Sequence, residues 1–216
     1  TENQALTTTD LALFTKQAEQ RIYNSVQIAN LRKNVDGVLT SGNKYLQCPA
    51  DYLSSYSLAI YPYVSTTATG TSGQTTIVVA SASGIVVGQY AAGSNIGTEA
   101  VVTVINGTTI TLSVANSGTV SGAVTFQGDY TYLLNKDVNF IREVYPSSRD
   151  LATPKYYAIF GPRSDNETEL TFILGPTPDA AYYAELHYYY YPASIVTSET
   201  SWLGDNFDTA LLYGCL

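Results

Sequence analysis

The sequence holds one histidine, two cysteines and few charges, and each shortage removes a class of chemistry. A metal site draws several His, Cys or carboxylate ligands to one place, whereas His187 stands alone in a tyrosine-rich stretch. It reads as a structural or hydrogen-bonded histidine. A Ser-His-acid triad would have to use that residue without any Gly-x-Ser-x-Gly elbow, and Cys48-Pro49 lacks the surroundings of a catalytic thiol. Cys48 and Cys215 lie far apart in sequence, and two cysteines cannot make a disulfide framework for a domain this size, so they read as reduced thiols of a protein assembled in cytoplasm. The charged fraction is 13%, with ten Lys and Arg against 18 acidic residues, a net charge of −8. The basic residues are scattered along the chain, so nothing suggests a surface that grips phosphates. An acidic wall would instead let DNA pass without sticking.

Other absences narrow the field further. No run approaches the roughly 18 apolar residues of a membrane span, and no basic-then-apolar leader opens the chain, so neither insertion nor export by that route is expected. The glycine-rich middle has no Gly-x-x-x-x-Gly-Lys-Ser/Thr loop. Glu167 and Glu169 follow a polar turn from Ser164 and read as solvated rather than as an acid/base pair. Asn106-Gly-Thr and Asn166-Glu-Thr match the glycosylation triplet but read as turns. No catalytic residue, metal ligand or cofactor is expected, and the chain reads as a non-enzyme.

What the sequence has in quantity is tyrosine, glycine and small β-formers: 19 Tyr, 16 Gly and 45% hydrophobic residues, enough to bury a core. Leu11, Phe14, Ala18, Ile22, Val26 and Ala29 are spaced by three and four, which predicts a helix from Leu11 to about Lys33, capped by Asp10 and stopped by Asp36-Gly37. A short strand broken by Pro49 (Lys44–Leu53) and another from Ser55 to Val64 follow. From Ser65 to Gln127 the only charged residue is Glu99, and the composition turns to Gly, Thr, Ser, Val and Ala. This stretch reads as a small β module inserted into the host. Within it Asn106-Gly107 joins two alternating runs, predicting a hairpin with a type I′ turn.

Beyond Gly128 strands are predicted at Tyr130–Leu134, Val138–Tyr145, Tyr156–Phe160, Glu169–Leu174 and Ala181–Tyr191. Leu170, Phe172 and Leu174 share one face, with Glu169 and Thr171 on the other. In the last strand Tyr182, Ala184, Leu186, Tyr188 and Tyr190 alternate with Tyr183, Glu185, His187, Tyr189 and Tyr191, one set for the core and one for water or a partner. A polar linker, Thr197–Ser201, leads to a second helix opening at Asp205 with an apolar stripe of Phe207, Leu211 and Leu212. With no C-cap after Cys215-Leu216, the native product is expected to run further. The fold class is therefore α+β, mainly β: an antiparallel sheet core with an N-terminal and a C-terminal helix (1–64 and 128–216) plus an inserted all-β module (65–127).

The order of these segments carries a resemblance. The helix around Phe14, Ala18, Glu19, Arg21 and Ile22 precedes the step Cys48-Pro-Ala-Asp-Tyr-Leu53. Then come Pro154-Lys-Tyr-Tyr-Ala-Ile-Phe-Gly161, Leu174-Gly-Pro-Thr-Pro178, Ala184-Glu-Leu-His-Tyr-Tyr-Tyr-Tyr-Pro192 and Trp202-Leu-Gly-Asp-Asn-Phe-Asp-Thr-Ala-Leu-Leu-Tyr-Gly214. Over residues 10–64 and 128–216 this resembles the head-to-tail adaptor, or head-completion, proteins of tailed bacteriophages. The chain departs from that family in carrying 65–127 and in stopping where the terminal helix commonly continues. Gly84-Ile-Val-Val-Gly88 and Gly97–Thr109 are similar to small β modules of virion proteins, which implies an added surface knob.

The resemblance implies a virion protein of the neck: a homo-oligomeric ring, expected to be dodecameric, that binds the portal and the tail tube or nozzle, with tail fibres as further candidates. Genomic DNA would pass without sequence-specific contacts, and no membrane is involved. Partner contacts are expected at Phe207, Leu211 and Leu212 of the terminal helix and at Tyr189 and Tyr191, because tyrosine joins apolar area to a polar tip. The competing reading is a tail or capsid-surface β protein, for decoration or fibre attachment, that works through residues 65–127. A lectin or carbohydrate-active enzyme using the tyrosine faces lacks an acid/base pair.

Overall fold

A computed structural model describes residues 7–26, 28–164 and 166–215. Helix α1 spans Thr8–Ser25. Its cap is Thr7 and not Asp10: the Thr7 hydroxyl accepts from the Asp10 amide at 3.2 Å while the Asp10 carboxylate accepts from the Thr7 amide at 3.0 Å, a reciprocal capping box. The helix also ends earlier than its spacing predicts. After a 3-10 turn at Ala29–Leu31 the chain enters strand β1, Arg32–Leu39, so Asp36-Gly37 sits inside a strand and stops nothing. The β-branched Val35 and Val38 favour that state, and pairing with a distant strand decides it.

Two four-stranded sheets stack face to face. The first runs β1, β14 (Tyr182–Tyr190), β3 (Tyr52–Tyr61), β10 (Thr131–Tyr132) and is antiparallel throughout. The second runs β11 (Leu134–Asn135), β12 (Tyr156–Arg163), β13 (Asn166–Gly175), β2 (Tyr45–Gln47), with only β11 and β12 parallel. Leu39, Leu58, Ile60, Phe172, Leu174, Ala184 and Leu186 fill the space between them. The single strand predicted at Tyr130–Leu134 is really two short ones, because buried Leu133 is where the chain crosses from one sheet to the other.

The strand predicted at Val138–Tyr145 is helix α2, Val138–Val144. Asp137 caps it, its carboxylate accepting from the Asn139 amide at 2.8 Å. Ile141 then seals against Ala158 and Ile173 on the outside of the second sheet. From Thr171 to Leu174 both faces of β13 are buried, Thr171 and Ile173 included, where one polar face was predicted.

Pro62 divides the strand predicted from Ser55 to Val64 into β3 and β4, Tyr63–Gly70, since it has no N–H for a ladder. β4 belongs to a third, six-stranded sheet in the order β6 (Tyr90–Gly93), β9 (Val120–Gln127), β4, β5 (Thr76–Val79), β8 (Thr109–Leu112), β7 (Val102–Asn106). Its two ends meet: Tyr90 bridges Val101, the Ala91 amide donates to Ala100 and the Val102 amide to Gln89. The sheet thus closes into a small barrel around Phe126, Ile77, Ile110, Leu112 and Val124. The predicted hairpin is there, but Asn106 pairs with Thr109, so the loop is Gly107-Thr108. Of these two only Gly107 has positive φ, +60°, the pattern of a type II′ turn rather than the type I′ that needs both.

Three helices follow β14. Ser194 caps α3 (Ile195–Ser198), which takes in Thr197 and Ser198 of the predicted polar linker, and Ser201 caps α4 (Trp202–Asn206). The helix predicted from Asp205 is interrupted at Phe207, and α5 runs from Asp208 to Cys215. Among the described residues no helix is long and apolar enough to cross a membrane.

Candidate functional site: interaction surfaces

Helices α1, α3, α4 and α5 form a layer against one end of β14. Its core is Ala18, Tyr23, Leu31, Leu203, Leu211 and Tyr189. Two of the predicted contact residues are therefore brought together inside the chain. Tyr188 points into the sandwich core and Tyr189 the other way, where the helical layer covers it, so successive residues of β14 are both buried. Leu211 is 9% exposed, while its neighbour Leu212 is 61% exposed and Phe207 51%, resting on the Trp202 ring at 5.3 Å. Tyr191 is on the surface, its hydroxyl donating to the Asn24 side chain. Gly214 lets α5 approach α1 closely: a Cβ there would stand 3.0 Å from that of Ala18.

Glu19, to which the sequence assigned no role, anchors this layer. Glu19 is buried, and its Oε1 accepts from the Ile195 amide at 2.9 Å, tying α1 to the start of α3. Burial pushes the nearby Tyr23 hydroxyl up to about 12, with the Glu19 charge adding to the shift and a hydrogen bond with Ser201 opposing it. The only hint in the sequence is that Glu19 sits beside Ala18 on the helix face that turns inward.

The outer face of the first sheet gathers tyrosines and acids. Asp36 lies directly opposite Glu185 across the β1–β14 ladder, an arrangement of like charges that costs stability by itself. His187 shares the face, its Nε2 3.0 Å from Glu185 Oε1, which gives the lone histidine its hydrogen-bonding role. Around them the Tyr183 ring lies 5.9 Å from Tyr61 and 4.4 Å from Tyr63, and Tyr61 lies 4.7 Å from Tyr130. Burial raises the Tyr61 and Tyr130 hydroxyls above the ordinary phenol range, and the charges of Asp36 and Glu185 push the same way.

The opposite outer face, formed by α2 and the second sheet, has the reverse character. Lys136 sits over the Phe140 ring at 5.6 Å and Arg142 over Phe160 at 5.7 Å. Lys44 and Arg163 sit over Tyr45 at 5.8 and 4.2 Å. Tyr45 and Phe160 touch, as do Phe140 and Tyr156, so these cations share one aromatic floor. Basic residues that are scattered along the chain are thus gathered in space.

Among the described residues no three His, Cys, Asp or Glu side chains stand where they could hold a metal. Burial, reinforced by the charge of Glu169, pushes the Cys48 thiol up to about 12, the form least able to attack. Asp165, the side chains of Asn166, Glu167 and Thr168, and Leu216 lie outside the described residues, and with them the predicted turn carboxylate Glu167, the second glycosylation triplet and the chain end.

Comparison with known proteins supplies the frame for these surfaces. No curated protein matches the chain. The family model described as SU10 adaptor protein matches residues 2–216, a range that takes in the barrel as well as the sandwich and the helices. The chain belongs to the SU10 adaptor protein family.

Proposed function

We propose that this adaptor-family chain is a structural subunit of the neck of a tailed-phage virion. Copies of it assemble into a ring between portal and tail, extend the DNA channel and dock tail tube or nozzle components. The observation that carries this reading is the family match along nearly the whole chain, adaptors being structural parts of phage particles and not a class of enzyme. The surfaces agree with such a role. Two broad outer faces carry aromatic floors with opposite charge, and Phe207, Leu212 and Tyr213 on the helical layer are exposed apolar groups available to a portal or tail partner. A net charge of −8 suits a wall that DNA slides past.

The alternative role, a surface decoration or fibre-attachment protein, would work through the barrel, whose loop at Val86-Val87 is exposed. Cryo-electron microscopy of particles labelled with an antibody against this chain separates the two. The neck reading expects label between the head and the tail. Label spread over the capsid shell or confined to fibres would sink it.

A further inference from the structure

We propose that the acidic tyrosine face of one copy, with Asp36, Glu185, Tyr130 and Tyr183, packs against the cationic face of the next, with Lys136 and Arg142, in a head-to-tail contact. The inference rests on the ring reading and says which two surfaces close it. The two faces lie on opposite sides of the sandwich. On β14, Glu185 and His187 point away from a core filled by Ala184, Leu186 and Tyr188, whereas α2 covers the far side of the second sheet through Ile141. A two-fold contact would set each patch against itself, acid on acid or base on base. Opposite signs on opposite sides favour the heterologous arrangement, the kind of contact from which a ring is built when the rotation between neighbours closes.

Both surfaces have charge to offer. Among the described residues, neither Lys136 nor Arg142 makes an intrachain salt bridge, and Asp36 makes none either. Lys44, Lys136, Arg142 and Arg163, each over an aromatic ring, supply the cations of this face, in a protein whose net charge is −8. Asp36 and Glu185 sit opposed, while the cations of their ladder, Arg32 and Lys33, are four and three residues away on β1, Arg32 against Tyr56 and Tyr189 and Lys33 on Asp51, so a guanidinium from a neighbour would relieve the repulsion. The rings of Tyr130 and Tyr183 give such a cation an aromatic bed of the kind Arg142 already has within its own chain.

The test is a charge swap read by analytical ultracentrifugation and native mass spectrometry over a salt series. One variant carries Asp36→Lys with Glu185→Gln, the other Lys136→Glu with Arg142→Glu. Each alone should weaken self-association by roughly 100-fold at low salt, because like charges then face one another. Mixing the two variants should restore rings in which they alternate, since each retains one native face and its altered face complements that of the other. That mixture also guards against misfolding, because an unfolded variant cannot rescue its partner. Rings that form normally from either single variant, or a mixture that stays dissociated, would overturn this pairing of faces while leaving the ring reading intact. A wild-type protein that stays monomeric at millimolar concentration would overturn the ring itself.

Discussion

Replacing Phe126 with alanine should unfold the barrel and leave the sandwich standing. Phe126 is fully buried among Ile77, Ile110 and Val124, a core with no member in common with the one between the two four-stranded sheets. A buried Phe→Ala change costs about 3–5 kcal/mol. A unit spanning residues 63–127 is stable by only roughly 3–10 kcal/mol in total, so the substitution removes much of what holds it. At about 4–8 °C per kcal/mol for a domain of this size, the barrel transition should fall by about 15–30 °C. The sequence provides a reporter for the rest of the molecule: the single tryptophan, Trp202, sits in α4 of the helical layer and not in the barrel. Calorimetry should show one transition moving far down while the fluorescence transition of Trp202 keeps its midpoint. If both signals move together by the same amount, the chain melts as one cooperative unit and the barrel is no separate domain.

The terminal helix should divide its apolar residues by role. Leu212→Asp with Phe207→Asp should leave the circular dichroism spectrum and melting temperature near wild type yet abolish incorporation into particles, whereas Leu211→Asp should lower stability by several kcal/mol, about the cost of an unpaired buried charge. Normal incorporation of the surface pair would confine α5 to local packing. Alkaline unfolding should be governed by Cys48, Tyr23, Tyr52 and Tyr188, all pushed up to about 12, chiefly by burial. Because the folded state holds these protons more tightly than the unfolded chain, their contribution is fully present below about pH 9 and fades as the pH climbs toward 12. Urea midpoints that stay flat from pH 9 to 11.5 would contradict that burial. Assembled rings should bind random duplex DNA feebly at low salt, and submicromolar affinity with a steep salt slope would show a surface that grips DNA.

Local pattern made parts of this architecture readable and left others hidden for identifiable reasons. The last strand was legible because Tyr182 through Tyr188 alternate cleanly, and the Gly107 hairpin because positive φ is demanded there. Helix α2 was missed because Val138 and Phe140 mimic a strand's period, which masked the Asp137 cap and the three-residue step to Ile141. Residues 29–39 were misread because their state is set by pairing with β14, some 150 positions away. The same distance conceals the interaction surfaces. Lys44, Lys136, Arg142 and Arg163 are gathered only once the second sheet has paired its strands and α2 has docked on it, and no spacing along the chain announces it. At α5 the sequence offered Leu211 and Leu212 as equals; a helix turns about 100° per residue, so only packing against α1 decides which goes in.

The chain enters the barrel on β4 and leaves it on β9, and these crossings lie side by side: Tyr63 pairs with Gln127, and the Gly128 amide donates to Pro62 just outside. The barrel is therefore carried on a narrow two-strand ribbon. Such a ribbon is stiff along its length and across its hydrogen-bonded width, and compliant only normal to its face, which makes it a one-axis flexure. The Tyr63 ring against Tyr183 at 4.4 Å places a stop on one side of that motion. A force that parts the two crossings would load the ladder bonds one at a time from the Tyr63 end and open them like a zip.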